Sequence, residues 1–190
     1  MKTKYLLSAL TTVLVASVAL PAAAQQKLIP AQSEPGFVAK QMGVPVSGQF
    51  KRFDAQMSFD PAKLAASKVS FTVDMGSATM GNVEADTALP TLPWFNAPKF
   101  PQATFTSSAF KALGAGKYEL AGQLSIKGQS REVVVPLTMT QAGAVTVATG
   151  VVPIKRLAFK IGEGDWADTS MVADDVQVKF KLAISGVGKL

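Results

Sequence analysis

Two residue types that carry much of enzyme chemistry are missing from this 190-residue chain, which contains neither cysteine nor histidine. Without them the chain cannot assemble a Ser-His-Asp triad or a Cys-His pair, and it cannot hold zinc, iron or copper through histidine. The absence of cysteine also excludes a disulfide framework. The sequence contains no G-x-S-x-G motif and no glycine-rich phosphate loop. We therefore expect no catalysis by this chain, no metal and no cofactor.

The carboxylates are the groups left for acid-base or calcium chemistry. They cluster in one glycine-rich stretch that contains Glu163, Asp165, Asp168, Asp174 and Asp175. Their spacing does not match a calcium-binding loop. Aspartates beside glycines are typical of turns, where the carboxylate accepts a backbone N–H. We interpret the stretch as a turn-rich connection, and an acid-base or calcium site is the alternative.

Charge is sparse, since charged residues make up 17% of the chain and the formal net charge is +6. The basic residues are scattered among polar positions instead of forming a patch. Single lysines on strands are typical of solvated faces and protected sheet edges. Nucleic acid is therefore not expected as a partner.

The N-terminus has the layout of a secretory signal peptide. Lys2 and Lys4 precede an apolar run over residues 6–20, and Ala22, Ala23 and Ala24 follow Pro21. The run is shorter than the roughly 20 residues that a membrane-spanning helix needs. We predict residues 1–24 as a signal peptide, with cleavage near Ala24–Gln25, and residues 25–190 as a single domain.

Beyond this segment, apolar and polar residues alternate one by one in five stretches. Side chains of a β-strand point to opposite faces with a period of two, so each stretch predicts a strand with one apolar face. The strands must either pack that face against a second sheet or close around a shared interior. The apolar positions are Phe53, Ala55, Met57 and Phe59; Val69, Phe71, Val73 and Met75; Leu120, Leu124 and Ile126; Val133, Val135, Leu137 and Met139; and Val176, Val178, Phe180, Leu182 and Ile184.

Turn residues divide the chain into about eight strands. Short turns between successive strands predict antiparallel neighbours, and eight strands are enough for a sheet to close and hold a small ligand. Pro136 and Pro153 each remove a ladder donor, so we expect bulges or strand ends there. The predicted strands cover residues 36–40, 48–59, 69–75, 103–110, 117–127, 131–140, 145–159 and 176–184.

The alternation stops for nearly thirty residues between Gly76 and Gln102. A short helix over residues 82–89, with Asn82 as its N-cap, is predicted within this segment. Four prolines then interrupt regular structure, while several large apolar residues remain. Such a long apolar connection is expected to fold back over the domain. It either covers the open end of a barrel or plugs an edge of the core.

Four stretches of the chain resemble the YceI-like lipid-binding family. The resemblance covers essentially all of the chain after residue 24, and one departure is visible. Many members carry an Arg-Asp pair in the helical segment, where this chain has Glu84-Ala85-Asp86, so a role that rests on that arginine is in doubt here. The similar stretches are VSGQFKRFDAQMSFD at 46–60, WFNAPKFPQATFTS at 94–107, YELAGQLSIKGQSREVVVPL at 118–137 and IKRLAFKIGEGDWAD at 154–168.

The resemblance implies an all-β, lipocalin-like, extended antiparallel barrel of about eight strands with one short helix. It also implies secretion to the periplasm and a non-catalytic carrier of a long isoprenoid lipid, polyprenyl or quinone-type, in an elongated cavity. Two other functions stay open: a stress-related interaction module with a solidly packed interior, and an accessory of membrane quinone or cytochrome redox proteins. A homodimer and a peripheral relation to the inner membrane are also left open.

The expected ligand contacts are inward-facing side chains of the predicted strands and of the apolar segment. For each one, a place in an ordinary packed core is the alternative. Trp94, Phe95 and Trp166 either gate the mouth or hold a loop in place, and Arg156 either meets a ligand head group or is a solvated surface residue. The candidates are Phe53, Met57, Phe59, Phe71, Val73, Trp94, Phe95, Phe105, Leu120, Leu124, Val135, Arg156, Phe159, Val178 and Phe180.

Overall fold

A computed structural model describes residues 25–190, and the predicted signal peptide lies outside these residues. Within the described range no helix has the length and apolar character needed to cross a bilayer. The strands are β1 (Lys27–Leu28), β2 (Glu34–Gln41), β3 (Val44–Phe50), β4 (Phe53–Ser58), β5 (Lys68–Asp74), β6 (Ala78–Thr79), β7 (Gln102–Gly114), β8 (Lys117–Ile126), β9 (Gln129–Ala142), β10 (Val145–Lys155) and β11 (Asp175–Ser185).

All strands belong to one antiparallel sheet in the order β4-β5-β7-β8-β9-β10-β11-β2-β3-β6, with β1 paired to β11. The sheet curls, because β3 near one edge continues through two residues into β4 at the other edge. Backbone hydrogen bonds hold this crossing at both edges, from Lys51 N–H to the Ser77 carbonyl beside β3 and β6, and from Asp74 N–H to the Arg52 carbonyl beside β4 and β5. The Gln26 side chain also bonds to both backbone groups of Phe59. The predicted all-β, barrel-like fold with one short helix is confirmed.

The first half of the chain contains one wrong strand prediction. Residues 48–59 form two strands instead of one, with a break at Lys51 and Arg52. The break is required because β3 pairs with β2, whereas β4 pairs with β5 at the opposite edge of the sheet. A continuous strand could not leave one edge and join the other.

The short helix α1 (Val83–Ala88) lies where the sequence predicts it. The Asn82 side-chain oxygen accepts a hydrogen bond of 2.8 Å from the Ala85 N–H, as expected of an N-cap. The carboxylate of Asp86 in turn accepts from the Met80 N–H and the Thr79 hydroxyl. The helix is thereby tied to β6 at the edge of the sheet.

Pro136 and Pro153 end a ladder without causing a bulge. Pairing between β9 and β10 stops at Leu137 and Gly150, although both strands continue with their other neighbours. In the same register Pro136 would face Val151 and Pro153 would face Val134, and each proline lacks the N–H for that pair. The register shifts instead lie between β7 and β8, at Ser107/Ala109 and Ala112/Gly114.

Three connections meet at one end of the barrel. They are the β2–β3 turn at residues 42–43, the segment 75–101 between β5 and β7, and the connection 156–174 between β10 and β11. The last includes 3-10 turns at Arg156–Phe159 and Gly164–Ala167, so β10 ends at Lys155 and not at Phe159 as predicted. We call this the loop end of the barrel.

Candidate functional site: an apolar cavity in the barrel

The interior of the barrel is not completely filled. It contains an apolar cavity of about 240 Å³. Its lining includes β11 residues from Val176 to Ile184, a stretch of strand about 26 Å long at roughly 3.3 Å per residue, so the cavity is elongated along the barrel. The polar residues that border it are Thr104, Arg156 and Lys179, and polar atoms contribute almost nothing to its surface. The site therefore suits a long, predominantly hydrocarbon molecule.

Thirteen of the fifteen predicted contact residues lie in this lining. Strand alternation brings most of them together, because each strand turns the same set of apolar side chains toward the interior. Whether they touch a ligand stays a prediction. The thirteen are Met57, Phe59, Phe71, Val73, Trp94, Phe95, Phe105, Leu120, Leu124, Val135, Arg156, Val178 and Phe180.

The structure corrects the expected position of Phe53 and Phe159, which do not line the cavity. Phe53 is the first residue of the edge strand β4, and its ring packs beside Phe71 with centroids 6.1 Å apart. Phe159 is 2% exposed and lies in the 3-10 turn after β10. Strand alternation does not apply to a turn residue, so it gave no valid direction for this side chain.

Several lining residues were missed. Leu137, Met139, Leu182 and Ile184 belong to alternating stretches that the sequence analysis identified, so their pattern was sufficient to find them. Aromatic side chains at positions 37, 50 and 110 also line the cavity. For these, no signal of comparable clarity stands in the sequence.

Glycines opposite phenylalanines help to keep the interior open. Gly48 pairs with Phe37, and Gly150 pairs with Phe180. A Cβ atom on either glycine would overlap the facing aromatic ring. The rings therefore lie over the glycine backbone instead of standing fully into the barrel, which leaves space between opposite walls.

Arg156 is buried, which corrects the alternative that it is a solvated surface residue. Its side chain is 2% exposed, and its guanidinium donates to four backbone carbonyls, those of Ala173, Ile161, Gly162 and Val172, at 2.7–3.2 Å. Burial lowers the pKa of Arg156 below its usual value, and the nearby charge of Asp174 opposes this shift. A guanidinium has five N–H donors, so one N–H has no acceptor among the described residues.

Lys127 joins the connections of the loop end. It is 4% exposed, and its ammonium donates to the carbonyls of Leu92 at 2.8 Å and Lys160 at 2.6 Å and to the Glu163 carboxylate at 2.8 Å. The Pro93 carbonyl accepts from the N–H groups of Gly162 and Glu163. One buried cation thus ties the β8–β9 turn to two long connections.

The apolar segment between β5 and β7, residues 75–101, folds over the cavity at the loop end. Leu89, Trp94 and Phe95 lie in the lining, and the Phe95 ring packs against Phe37 and Phe50 with centroids 6.4 and 6.2 Å apart. Trp94 also packs against Trp166 at 5.2 Å. The segment therefore forms part of the cavity wall and covers its end, while Trp94 holds the adjacent connection.

The acidic stretch is a capped connection. The Asp168 carboxylate accepts from the Ser170 N–H, and that of Asp174 accepts from the Leu157 N–H. Glu163 pairs with Lys127, and Asp175 pairs with Lys155. In residues 25–190 no group of three or more acidic side chains is arranged to hold a metal ion.

Comparison with known proteins gives one family. The model of the YceI-like domain matches residues 27–184. A UPF0312 protein of Vibrio cholerae is 34% identical over 98 residues, which cover 52% of each chain, and one from Photorhabdus laumondii is 31% identical over 125 residues, 62% of this chain and 65% of the relative. The matched part of this chain spans about half to two thirds of the length of these curated relatives.

Solved structures extend the similarity to most of the chain. BcnA of Burkholderia cenocepacia is 46% identical with a TM-score of 0.80, covering 82% of this chain and 98% of that protein. The YCEI protein of Campylobacter jejuni is 26% identical with a TM-score of 0.66, covering 73% and 83%. A polyisoprenoid binding domain from Saccharophagus degradans is 15% identical with a TM-score of 0.69, covering 85% and 98%, a similarity that shows the fold alone.

Replacing Lys127 with methionine is expected to lower the free energy of unfolding by about 2–4 kcal/mol, because three buried or half-buried acceptors lose their donor. Urea unfolding followed by circular dichroism measures the change. Lys111→Met is the matched control, since it breaks the exposed pair with Glu119 and should cost less than about 1 kcal/mol. Equal effects of the two substitutions would contradict the structural role of Lys127.

Acid should weaken the contact between Lys127 and Glu163. Hydrogen bonding to Lys127 lowers the pKa of Glu163 below its ordinary value of 4.5. A carboxyl with a lowered folded-state pKa stabilises the protein above the unfolded-state pKa, and this contribution is lost as the pH falls below about 4.5. The loss of stability between neutral and acidic pH should therefore be smaller for Glu163→Gln than for the wild type. Parallel pH profiles in urea unfolding would refute this.

Proposed function

We propose that this chain, which belongs to the YceI-like domain family, is a non-catalytic periplasmic carrier of a long isoprenoid lipid, polyprenyl or quinone-type. The observation that carries the proposal is the long apolar cavity inside a single curled sheet. The polyisoprenoid-binding domain with a similar fold supports a lipid as the ligand. The signal-peptide pattern of residues 1–24 supports export.

Burial of hydrocarbon alone can account for useful affinity. Each buried CH₂ group contributes about 0.8 kcal/mol, so a five-carbon isoprene unit contributes roughly 3 kcal/mol before costs. Ordering of the flexible chain and loss of translational freedom take back several kcal/mol. Four to five buried units, about 12–15 kcal/mol before these costs, then correspond to micromolar to nanomolar binding, about 8–12 kcal/mol.

Arg156 is the group in the lining that is best suited to a polar atom of the ligand. It borders the cavity and has one N–H without an acceptor in the described part of the chain, but polar atoms contribute almost nothing to the cavity surface, so a ligand oxygen reaches this N–H only if the lining beside it moves. A carbonyl oxygen of a quinone or another oxygen of a lipid head can accept from this N–H. The other four donors hold the guanidinium in place, so it is oriented before the ligand arrives.

The interaction module with a solidly packed interior fits this structure less well, because the barrel contains a cavity. The other alternative is an accessory of membrane redox proteins. It would bind a quinone in the same cavity and would differ from a general lipid carrier only in delivering the quinone to those proteins. The identity of the bound molecule separates these functions, since a quinone head group supports the redox accessory and a polyprenyl chain supports a general lipid carrier.

Native mass spectrometry of the protein purified from its own periplasm is expected to show a bound species of isoprenoid mass. Solvent extraction followed by mass spectrometry of the extract then identifies the head group. Protein that is exported and folded but consistently free of lipid would contradict the carrier function. Recovery from the spheroplast fraction only would contradict the proposed location.

A pair of adjacent residues in β9 provides a matched test of the cavity. Val135 points into the cavity, whereas Val134 is 57% exposed on the outer face. Val135→Phe should remove most of the bound lipid while changing the free energy of unfolding by less than about 1 kcal/mol, because the ring enters free space. Val134→Phe should retain the lipid. A loss of about 1–3 kcal/mol for Val135→Phe would instead indicate overpacking of a filled core.

A further inference from the structure

Pairing between β9 and β10 stops inside both strands. The last pair is Leu137 with Gly150, although β9 stays paired with β8, and β10 with β11, along the stretch that follows. We call residues 133–136 of β9 and 151–154 of β10 the split. It is a line in the barrel wall that no ladder crosses.

Two prolines keep the split free of a ladder. Pro136 and Pro153 both lie where the ladder would continue, and a proline has no N–H to donate. Just beyond the split, the Arg131 guanidinium donates to the Ala158 carbonyl, a long contact of 3.3 Å between exposed groups. Separating the two strands along the split therefore breaks no ladder hydrogen bond.

Both faces of the split are apolar. The inward side chains line the cavity, and on the outer face Val134 is 57% exposed and Val151 42%. On β11 the outward positions include Gln177 and Lys181, the polar pattern that is usual for a sheet face in water. A hydrocarbon chain between the strands would thus touch apolar side chains from the outside to the cavity. The outward residues of the split are Val134, Pro136, Val151 and Pro153, and the inward ones are Val133, Val135, Val152 and Ile154.

The wall has a second boundary without a ladder, between β4 and β1. β4 is paired with β5, and its other edge has no strand partner within residues 25–190. The Gln26 side chain bridges this boundary through two hydrogen bonds to Phe59, at 2.6 and 2.8 Å. The surface there includes Gln25, Asp54 and Gln56. A hydrocarbon chain that crossed it would have to take polar groups out of water, so this boundary is less suited to a lipid than the split.

Both ends of the barrel are held by side-chain hydrogen bonds. At the loop end, opening the connections would break the bonds that Lys127 and Arg156 donate to buried carbonyls. At the opposite end, the Gln141 amide donates to the carbonyls of Val187 and Gly188, both at 3.2 Å, and Val187 lines the cavity. Opening either end therefore leaves polar groups without partners, which parting the strands at the split does not.

We propose that the split between β9 and β10 is the gate through which the lipid enters and leaves the cavity. The strands part where no ladder joins them, and the hydrocarbon chain passes between the valines of their two faces. Neither end of the barrel has to open. This inference rests on the proposed carrier function and adds the route that the ligand takes.

Cross-linking across the split tests the gate, and the chain has no cysteine of its own to interfere. Pro136→Cys/Val151→Cys puts one thiol on each side of the split. A bifunctional methanethiosulfonate joins the two thiols through bonds that a reductant breaks. The probe is ubiquinone with two isoprene units, and its uptake by delipidated protein and its release are followed by quenching of Trp94, which lies in the cavity lining.

The cross-linked protein should take up and release the probe at least about tenfold more slowly with an unchanged dissociation constant, because a gate alters rates and not the bound state. Reduction should restore the wild-type rates. Thr140→Cys/Val147→Cys is the matched control, since it joins the same two strands where they are paired. Its cross-link should change the rates by less than about twofold. Equal slowing by both cross-links, or wild-type rates after cross-linking of the split, would overturn the gate.

A second variant makes the test independent of the cysteines. Pro136→Val/Pro153→Val restores two backbone donors, so the ladder can continue through the split. Amide hydrogen exchange should then show new protection in residues 151–154, and uptake of the probe should slow about threefold or more. New protection without slower uptake would contradict the proposed route.

The same measurements separate the gate from the carrier function. A probe that binds the wild type and exchanges at the same rates after cross-linking of the split overturns the gate and leaves the carrier function standing. Wild-type protein that holds no isoprenoid, native or added, overturns both. A gate does not change lipid retention at equilibrium, so Val134→Phe, on the outer face of the split, is still expected to retain the lipid.

Discussion

The structure depends on the burial of one face of a single sheet around an interior that its side chains do not fill. Each long strand places its apolar residues inward, and the curl of the sheet brings these faces together without a second layer. A solidly packed barrel would gain more dispersion contacts between its walls. Here glycines opposite Phe37 and Phe180 let the rings lie along the wall, so part of the contact is left for a ligand to make.

At the loop end the constraint is different, because buried backbone carbonyls of the connections lie beside an apolar cavity and need hydrogen-bond donors. Two buried cations meet this requirement. Lys127 and Arg156 together bind carbonyls of residues 92, 160, 161, 162, 172 and 173, groups that would otherwise lose water without a replacement. The cavity can therefore approach the loops closely while its lining remains almost entirely apolar.

Sequence reasoning was most reliable where the periodicity of a strand decides the direction of a side chain. It placed Leu120 and Leu124 of β8, Val135 of β9, and Val178 and Phe180 of β11 in the lining, because each follows the alternation of its strand. It did not separate β3 from β4, since the strand change at Lys51 and Arg52 depends on which distant strands pair with each half. The same limit explains Phe159, which continues the strand pattern in the sequence but lies in a 3-10 turn. Burial of Lys127 was also beyond prediction, because its acceptors come from residues 33 to 36 positions away.

The bonding of Arg156 bears on which lipid head group the cavity can accept. Four carbonyl dipoles surround the guanidinium, and no carboxylate of the described residues forms a salt bridge with it. A head group with a full negative charge would have to leave water for a cavity surface that is almost entirely apolar, where one Arg156 N–H lacks an acceptor among the described residues and the Lys127 ammonium is already occupied. Desolvation of such an ion costs several kcal/mol. A neutral oxygen needs a single donor and avoids that cost, so for the proposed lipid the geometry favours a neutral head group inside the cavity.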